Sequence, residues 1–131
     1  MLLMRRIKRR PSRLHKLSRR GFRGNPVATI ALYGPTAERA SKAAVAIIRE
    51  EGADPDPLRR WFSEDGDVRF EPGIDAEIVA FIREHGVRSV VMTDRIIGCP
   101  HEEGVDYPEG QKCPQCPFWA NRDRFTHETT Q

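Results

Sequence analysis

The chain has 131 residues, 31% of them charged and 38% hydrophobic, with a mean hydropathy of −0.61. That length fits one domain, since a split would leave pieces too small to bury a core. No apolar run approaches the roughly 20 residues that span a bilayer, so an integral membrane protein is excluded and no membrane partner is expected.

The formal net charge of +3 hides an uneven distribution. Residues 1–24 hold ten Lys or Arg and no acid, while the remainder holds twelve Lys or Arg against nineteen acids, a net of −7. The expectation is a basic, disordered arm (1–24) on a single α/β domain (25–131). The arm, MLLMRRIKRRPSRLHKLSRRGFRG, resembles an organelle transit peptide in being Arg-rich and acid-free, and it is also readable as an upstream start extension. SRRGF is similar to a twin-arginine export signal, but an apolar region should follow it, and GNPVATIALYG reads instead as a strand. With no secretion signal, the expected compartment is the cytoplasm. A nucleic-acid-binding tail is a third reading of residues 1–24, because clustered Lys and Arg gain affinity by releasing counterions from phosphate. The acidic body opposes that reading unless its own basic groups gather on one face.

VATIALY (27–33) is apolar and β-prone and stops at Gly34 and Pro35, which predicts a buried strand. In TAERASKAAVAIIREEG (36–52), Thr36 stands at an N-cap position, and Ala37, Ala40, Ala44, Ile47 and Ile48 recur at helical spacing up to Gly52. A helix is expected there. DPDP (54–57) is a stiff link. LRRWF and DVRF flank SEDG as either a hairpin turning at Gly66 or one short strand followed by a loop. EPGID opens a second helix with Ile74, Ile78, Phe81 and Ile82 on one stripe and a stop at His85 and Gly86. RSVVMTD (88–94) is the last strand. Alternation of this kind predicts a small mixed or parallel sheet with two packed helices, followed by a Cys-rich segment.

In open α/β sheets, ligands bind beyond the carboxyl ends of the strands. The segment CPHEEGVDYPEGQKCPQC begins five residues after Asp94, close to that rim. It holds all three cysteines and one of four histidines, in the order C-x-H, eleven residues, C-x2-C. Thiolate and imidazole are the donors Zn2+ favours, and Cys99, His101, Cys113 and Cys116 form a Cys3His set. The Gly-, Pro- and acid-rich stretch between the two pairs can turn the chain back. Should His101 stand outside the set, Glu103, Asp106 or His127 are alternative fourth donors. A redox or disulfide pair, or three reduced spectator thiols, are the other readings of the cysteines. The odd count and the missing secretion signal work against a disulfide framework. His15, His85 and His127 read as an arm, a helix-end and a tail residue.

CPQC is similar to a zinc-ribbon knuckle over four residues. HEE and KCPQC resemble the H-x-E and P-C-x-x-C motifs of zinc nucleoside and nucleobase deaminases. That resemblance implies His101, Cys113 and Cys116 as ligands and Glu103 as the group that moves protons. Two features depart from it: Lys112 stands where the motif has proline, and only nine residues separate Glu103 from Cys113, too few for the intervening helix and strand.

Four protein donors close a tetrahedron, whereas a catalytic zinc keeps one position open. The leading expectation is therefore a binding or accessory module with a structural zinc, its tail packed by Phe118, Trp119 and Phe125. One alternative is a zinc-dependent hydrolase or deaminase-like enzyme with an open metal position and Glu103 or Asp94 as base. In it Asp94, Glu102, Glu103 and Asp106 would crowd together and raise a carboxylate pKa. The other alternative is the nucleic-acid binder that uses the basic arm.

Overall fold

The computed structural model describes residues 12–130. At its centre lies strand β1 (Val27–Tyr33), which is paired along both edges. Strand β2 (Lys42–Ile48) runs antiparallel to it in unbroken register, from Val27 opposite Ile48 to Tyr33 opposite Lys42. On the other side β4 (Ser89–Met92) runs parallel, and β3 (Leu58–Phe62) adds antiparallel to β2, giving the order β3-β2-β1-β4. The parallel pair needs a crossover, which contains helix α2 (Pro72–Glu84). With helix α1 (Arg13–Ser18), this is an α/β fold with a mixed four-stranded sheet and two helices.

The helices are not both the expected ones. Residues 36–52 form no helix; their centre is β2. The alanines there fit two periods at once, since Ala40, Ala44, Ile47 and Ile48 lie at helical spacing while Ala43, Val45 and Ile47 alternate. All three of the alternating residues are fully buried. Seven residues of β1 offer an open edge beside this segment, and ladder pairing with burial of Val45 and Ile47 outweighs the helix propensity of alanine. The reversal into β2 depends on Gly34, because a Cβ there would lie 1.8 Å from the Arg39 carbonyl oxygen.

Of the two readings of residues 58–70, the single strand followed by a loop is found. That loop is pinned where the Val68 N–H donates to the Ala40 carbonyl at 2.8 Å. Helix α2 matches its expected bounds, with Pro72 in the first turn, Ile78, Val79, Phe81 and Ile82 buried, and His85 and Gly86 at its end.

Part of the basic arm is folded onto the body. Ser12 caps α1 by accepting from the His15 N–H at 3.1 Å, and Leu14 is fully buried in the common core. Residues 1–11 of the expected arm lie outside the described residues.

The core fills one face of the sheet, where Ala28, Ile30, Leu32, Val45, Ile47 and Trp61 meet Leu14 and the stripe of α2. The opposite face, carrying Thr29, Ala31, Tyr33, Ala44 and Arg60, has no helix on it and receives the tail at one end. No helix among the described residues is long and apolar enough to cross a membrane.

Candidate metal centre

Beyond β4 the chain stays beside β1. Thr93 N–H donates to the Ile30 carbonyl at 3.0 Å, Ile97 N–H to Leu32 at 2.8 Å, and Gly34 N–H to the Gly98 carbonyl at 2.9 Å. These bonds carry the chain to Cys99 just past the carboxyl end of β1, the rim expected from the topology.

The acidic stretch then folds back on its own polar groups. Asp106 accepts from the Glu102 N–H at 2.7 Å, Glu103 accepts from the Gly110 N–H at 2.6 Å, and the Glu102 carbonyl accepts from the Val105 and Asp106 N–H groups. This detour returns Cys113 and Cys116 to Cys99. A 3-10 turn, Pro117–Trp119, leaves the site, closed by the Trp119 N–H donating to the Cys116 carbonyl.

The donor atoms of Cys99, His101, Cys113 and Cys116 all lie within 4.8 Å of one another, close enough to hold one metal ion. His101 Nδ1 is 3.2 Å from Cys99 Sγ and 3.5 Å from each of the other two sulfurs. The His101 backbone N–H donates to Cys99 Sγ at 3.3 Å. Burial pushes the Cys99 thiol far up, and the adjacent Cys116 and Cys113 push it further, against the lowering effect of that N–H. Burial raises Cys116 as well. Three thiolates this close repel one another, so a bound cation is what would let them ionise together.

The alternative fourth donors are used elsewhere. His127 Nε2 donates to the Ile96 carbonyl at 2.7 Å, with its ring 5.2 Å from that of Trp119, and Glu103 and Asp106 hold loop N–H groups.

The expected crowd of carboxylates does not form. Asp94 is exposed, away from the gathered donors, and its charge acts on His15. Glu102 is shifted down, opposite to the expectation, because the Lys42 ammonium and then the Arg60 guanidinium hydrogen-bond to it. Thr36 and Thr93 accept from the N–H groups of Glu38 and Leu32. Of the aromatic tail residues, Phe118 and Trp119 stack edge to face, but Phe125 is 65% exposed and packs nothing.

One set of residues escapes sequence reading. Lys42, only 4% exposed, donates to the Pro100 carbonyl at 2.9 Å and to Glu102 at 3.0 Å, and Arg60 reaches the same carboxylate at 2.7 Å. This network ties the metal-binding loop to β2 and β3. A lysine opening the apolar run KAAVAII was the one visible hint. Alongside lies a trough of about 400 Å³ on the open sheet face, floored by Ala31, Ala44 and Ala46, walled by Tyr33, Arg60 and Tyr107, and bounded by Cys99 and His101.

Comparison with family models, with curated proteins and with solved structures finds no match for this chain.

Proposed function

We propose that this chain is a small zinc-binding α/β protein of the cytoplasm, a binding or accessory module whose C-terminal segment is clamped to the sheet by a structural Zn2+. The ligands are Cys99, His101, Cys113 and Cys116. The observation that carries the reading is the spacing of the donors. A tetrahedral zinc with Zn–S of about 2.3 Å and Zn–N of about 2.0 Å sets sulfur and nitrogen about 3.5 Å apart. His101 Nδ1 stands 3.2, 3.5 and 3.5 Å from the three sulfurs.

The donor chemistry agrees, since thiolate and imidazole suit zinc while hard cations take oxygen. Four protein ligands leave no position for the water that a hydrolytic or deaminase-like zinc enzyme activates. Glu103, the base of that alternative, accepts a loop N–H instead. A metal tie also suits the tail, where Cys116 is the one buried apolar residue after Ile96.

Metal analysis of protein purified without added zinc tests the proposal. One equivalent of zinc is expected, and replacement by Co2+ should give the intense visible bands of a tetrahedral thiolate site. Well under one equivalent, or a cobalt site with bound water, would overturn it.

A further inference from the structure

A second cluster of charge lies on the far side of the molecule from the cysteines' trough, where the end of the arm meets the end of α2. Arg20, Arg83 and Arg88 line a cavity of about 260 Å³ whose floor is Leu17, Val79 and Val87, and no acidic residue lines it. All three arginines are exposed, and among the described residues none of their guanidinium groups makes a hydrogen bond or an ion pair. The Arg88 guanidinium lies over the backbone of Gly24, within 3.3 Å of where a Cβ would stand, which places it against the last residues of the arm. Arg13, Lys16, Arg19 and Arg23 are exposed on the same segment of chain. Phe22, between Arg20 and Arg23, is 73% exposed.

We infer that this face binds single-stranded nucleic acid, with a backbone phosphate seated among Arg20, Arg83 and Arg88 and a base stacked on Phe22. Three unpaired guanidiniums around one concavity match the oxygens of a phosphate, which guanidinium groups bind through paired N–H donors. Arg83 and Arg88 belong to the acidic body, so the body adds positive charge to the arm at the place where they meet, and the repulsion of its net negative charge is locally reversed. One exposed aromatic ring among cations is the platform that stacks an unpaired base without sequence preference. Membrane anchoring would draw on a larger apolar surface than a single phenylalanine supplies.

The test is fluorescence anisotropy of the full chain with a labelled oligouridylate of roughly 12 nucleotides, a length within the usual site size for such surfaces. The triple variant Arg20→Ala/Arg83→Ala/Arg88→Ala breaks no native hydrogen bond, so its circular dichroism should match the parent. It is expected to bind at least tenfold more weakly near physiological salt, with a salt slope shallower by about 2, given roughly 0.7 per phosphate contact on single strands. Phe22→Ala should weaken binding by roughly fivefold or more and leave the slope unchanged. No binding by the parent chain, undiminished binding by the triple variant, an equal loss in the control Arg59→Ala/Arg124→Ala, or preference for phosphatidylserine vesicles over the oligonucleotide would each overturn the inference.

Discussion

The indole Nε1 of Trp119 donates to the carbonyl of Gly34 at 2.8 Å, joining residues 85 positions apart. The N–H of the same glycine donates to the Gly98 carbonyl at 2.9 Å. One residue at the end of β1 therefore anchors both the chain that enters the Cys/His cluster and the turn that leaves it. The cluster is held at the sheet by backbone and indole bonds as well as by whatever ion it binds.

Trp119→Phe keeps most of the ring contacts with Phe118 and His127 and removes only the donor. A half-buried carbonyl loses its partner, so a destabilisation of about 1–2 kcal/mol is expected by urea denaturation. Gly34→Ala should be worse, because the new Cβ meets a backbone oxygen that cannot move aside without opening the turn into β2.

Chelation of the metal should loosen the tail and spare the sheet. The β1 and β2 ladder and the core beneath it use none of the four donor residues. Hydrogen exchange should therefore accelerate across residues 99–116 on adding a chelator, with amides of 27–33 and 42–48 still protected. Thiol titration should rise from near zero to three reactive groups in step. Equal exposure of sheet and tail would mean that the ion holds the whole fold together.

What the sequence discloses about this molecule depends on how local each cause is. The donors of the cluster were legible because a metal site needs short pairs of specific side chains, and C-x-H and C-x2-C are written within 18 consecutive residues. Helix α2 was legible because its stripe, its Pro72 and its Gly86 all agree. The segment 36–52 was not, because its apolar pattern fits two periods and the decision is made by the edge of β1, a partner distant in sequence. The Lys42, Glu102 and Arg60 network has the same origin: it joins residues 42 to 60 positions apart, and only the register brings them together.

That network predicts an asymmetric response. Glu102→Gln leaves the buried Lys42 ammonium with the Pro100 carbonyl and no counter-charge. Arg60→Ala removes a more exposed partner and leaves the Lys42 pair intact. The expected losses are about 1–2 kcal/mol for the first and under about 1 kcal/mol for the second, read by chemical denaturation at neutral pH. The reverse order would show that Lys42 does not depend on the loop.

Asp67 should govern part of the acid limb of stability. Burial pushes its carboxyl up, but hydrogen bonds from Arg69 and from the N–H groups of Ala40 and Arg69 outweigh that, and the net shift is down from 3.8. A carboxylate lowered on folding stabilises the fold above its unfolded pKa, and the contribution fades as pH falls through the folded value. Asp67→Asn should therefore be less stable than the parent by about 1–3 kcal/mol at pH 7, with the gap closing below roughly pH 3. A gap that stays constant with pH would trace the loss to geometry alone.

Leu14→Ala tests whether the arm is part of the body. Leu14 is fully exposed in any solvated extension, where truncation to alanine would be neutral, but here it is fully buried with α1 packed against β4 and α2. Removing three buried carbons leaves a cavity costing about 2–4 kcal/mol if the surroundings hold their positions. Because α1 has only six residues, the measured loss is capped by the free energy that docks it; beyond that, the helix detaches and the cost stops growing. About 2 kcal/mol is therefore expected in urea denaturation, with faster exchange at the amides of residues 16–19. Since Arg20 follows this helix and depends on it for position, the same variant should also weaken oligonucleotide binding without removing a charge. Unchanged stability together with unchanged exchange would return residues 12–20 to a solvated extension.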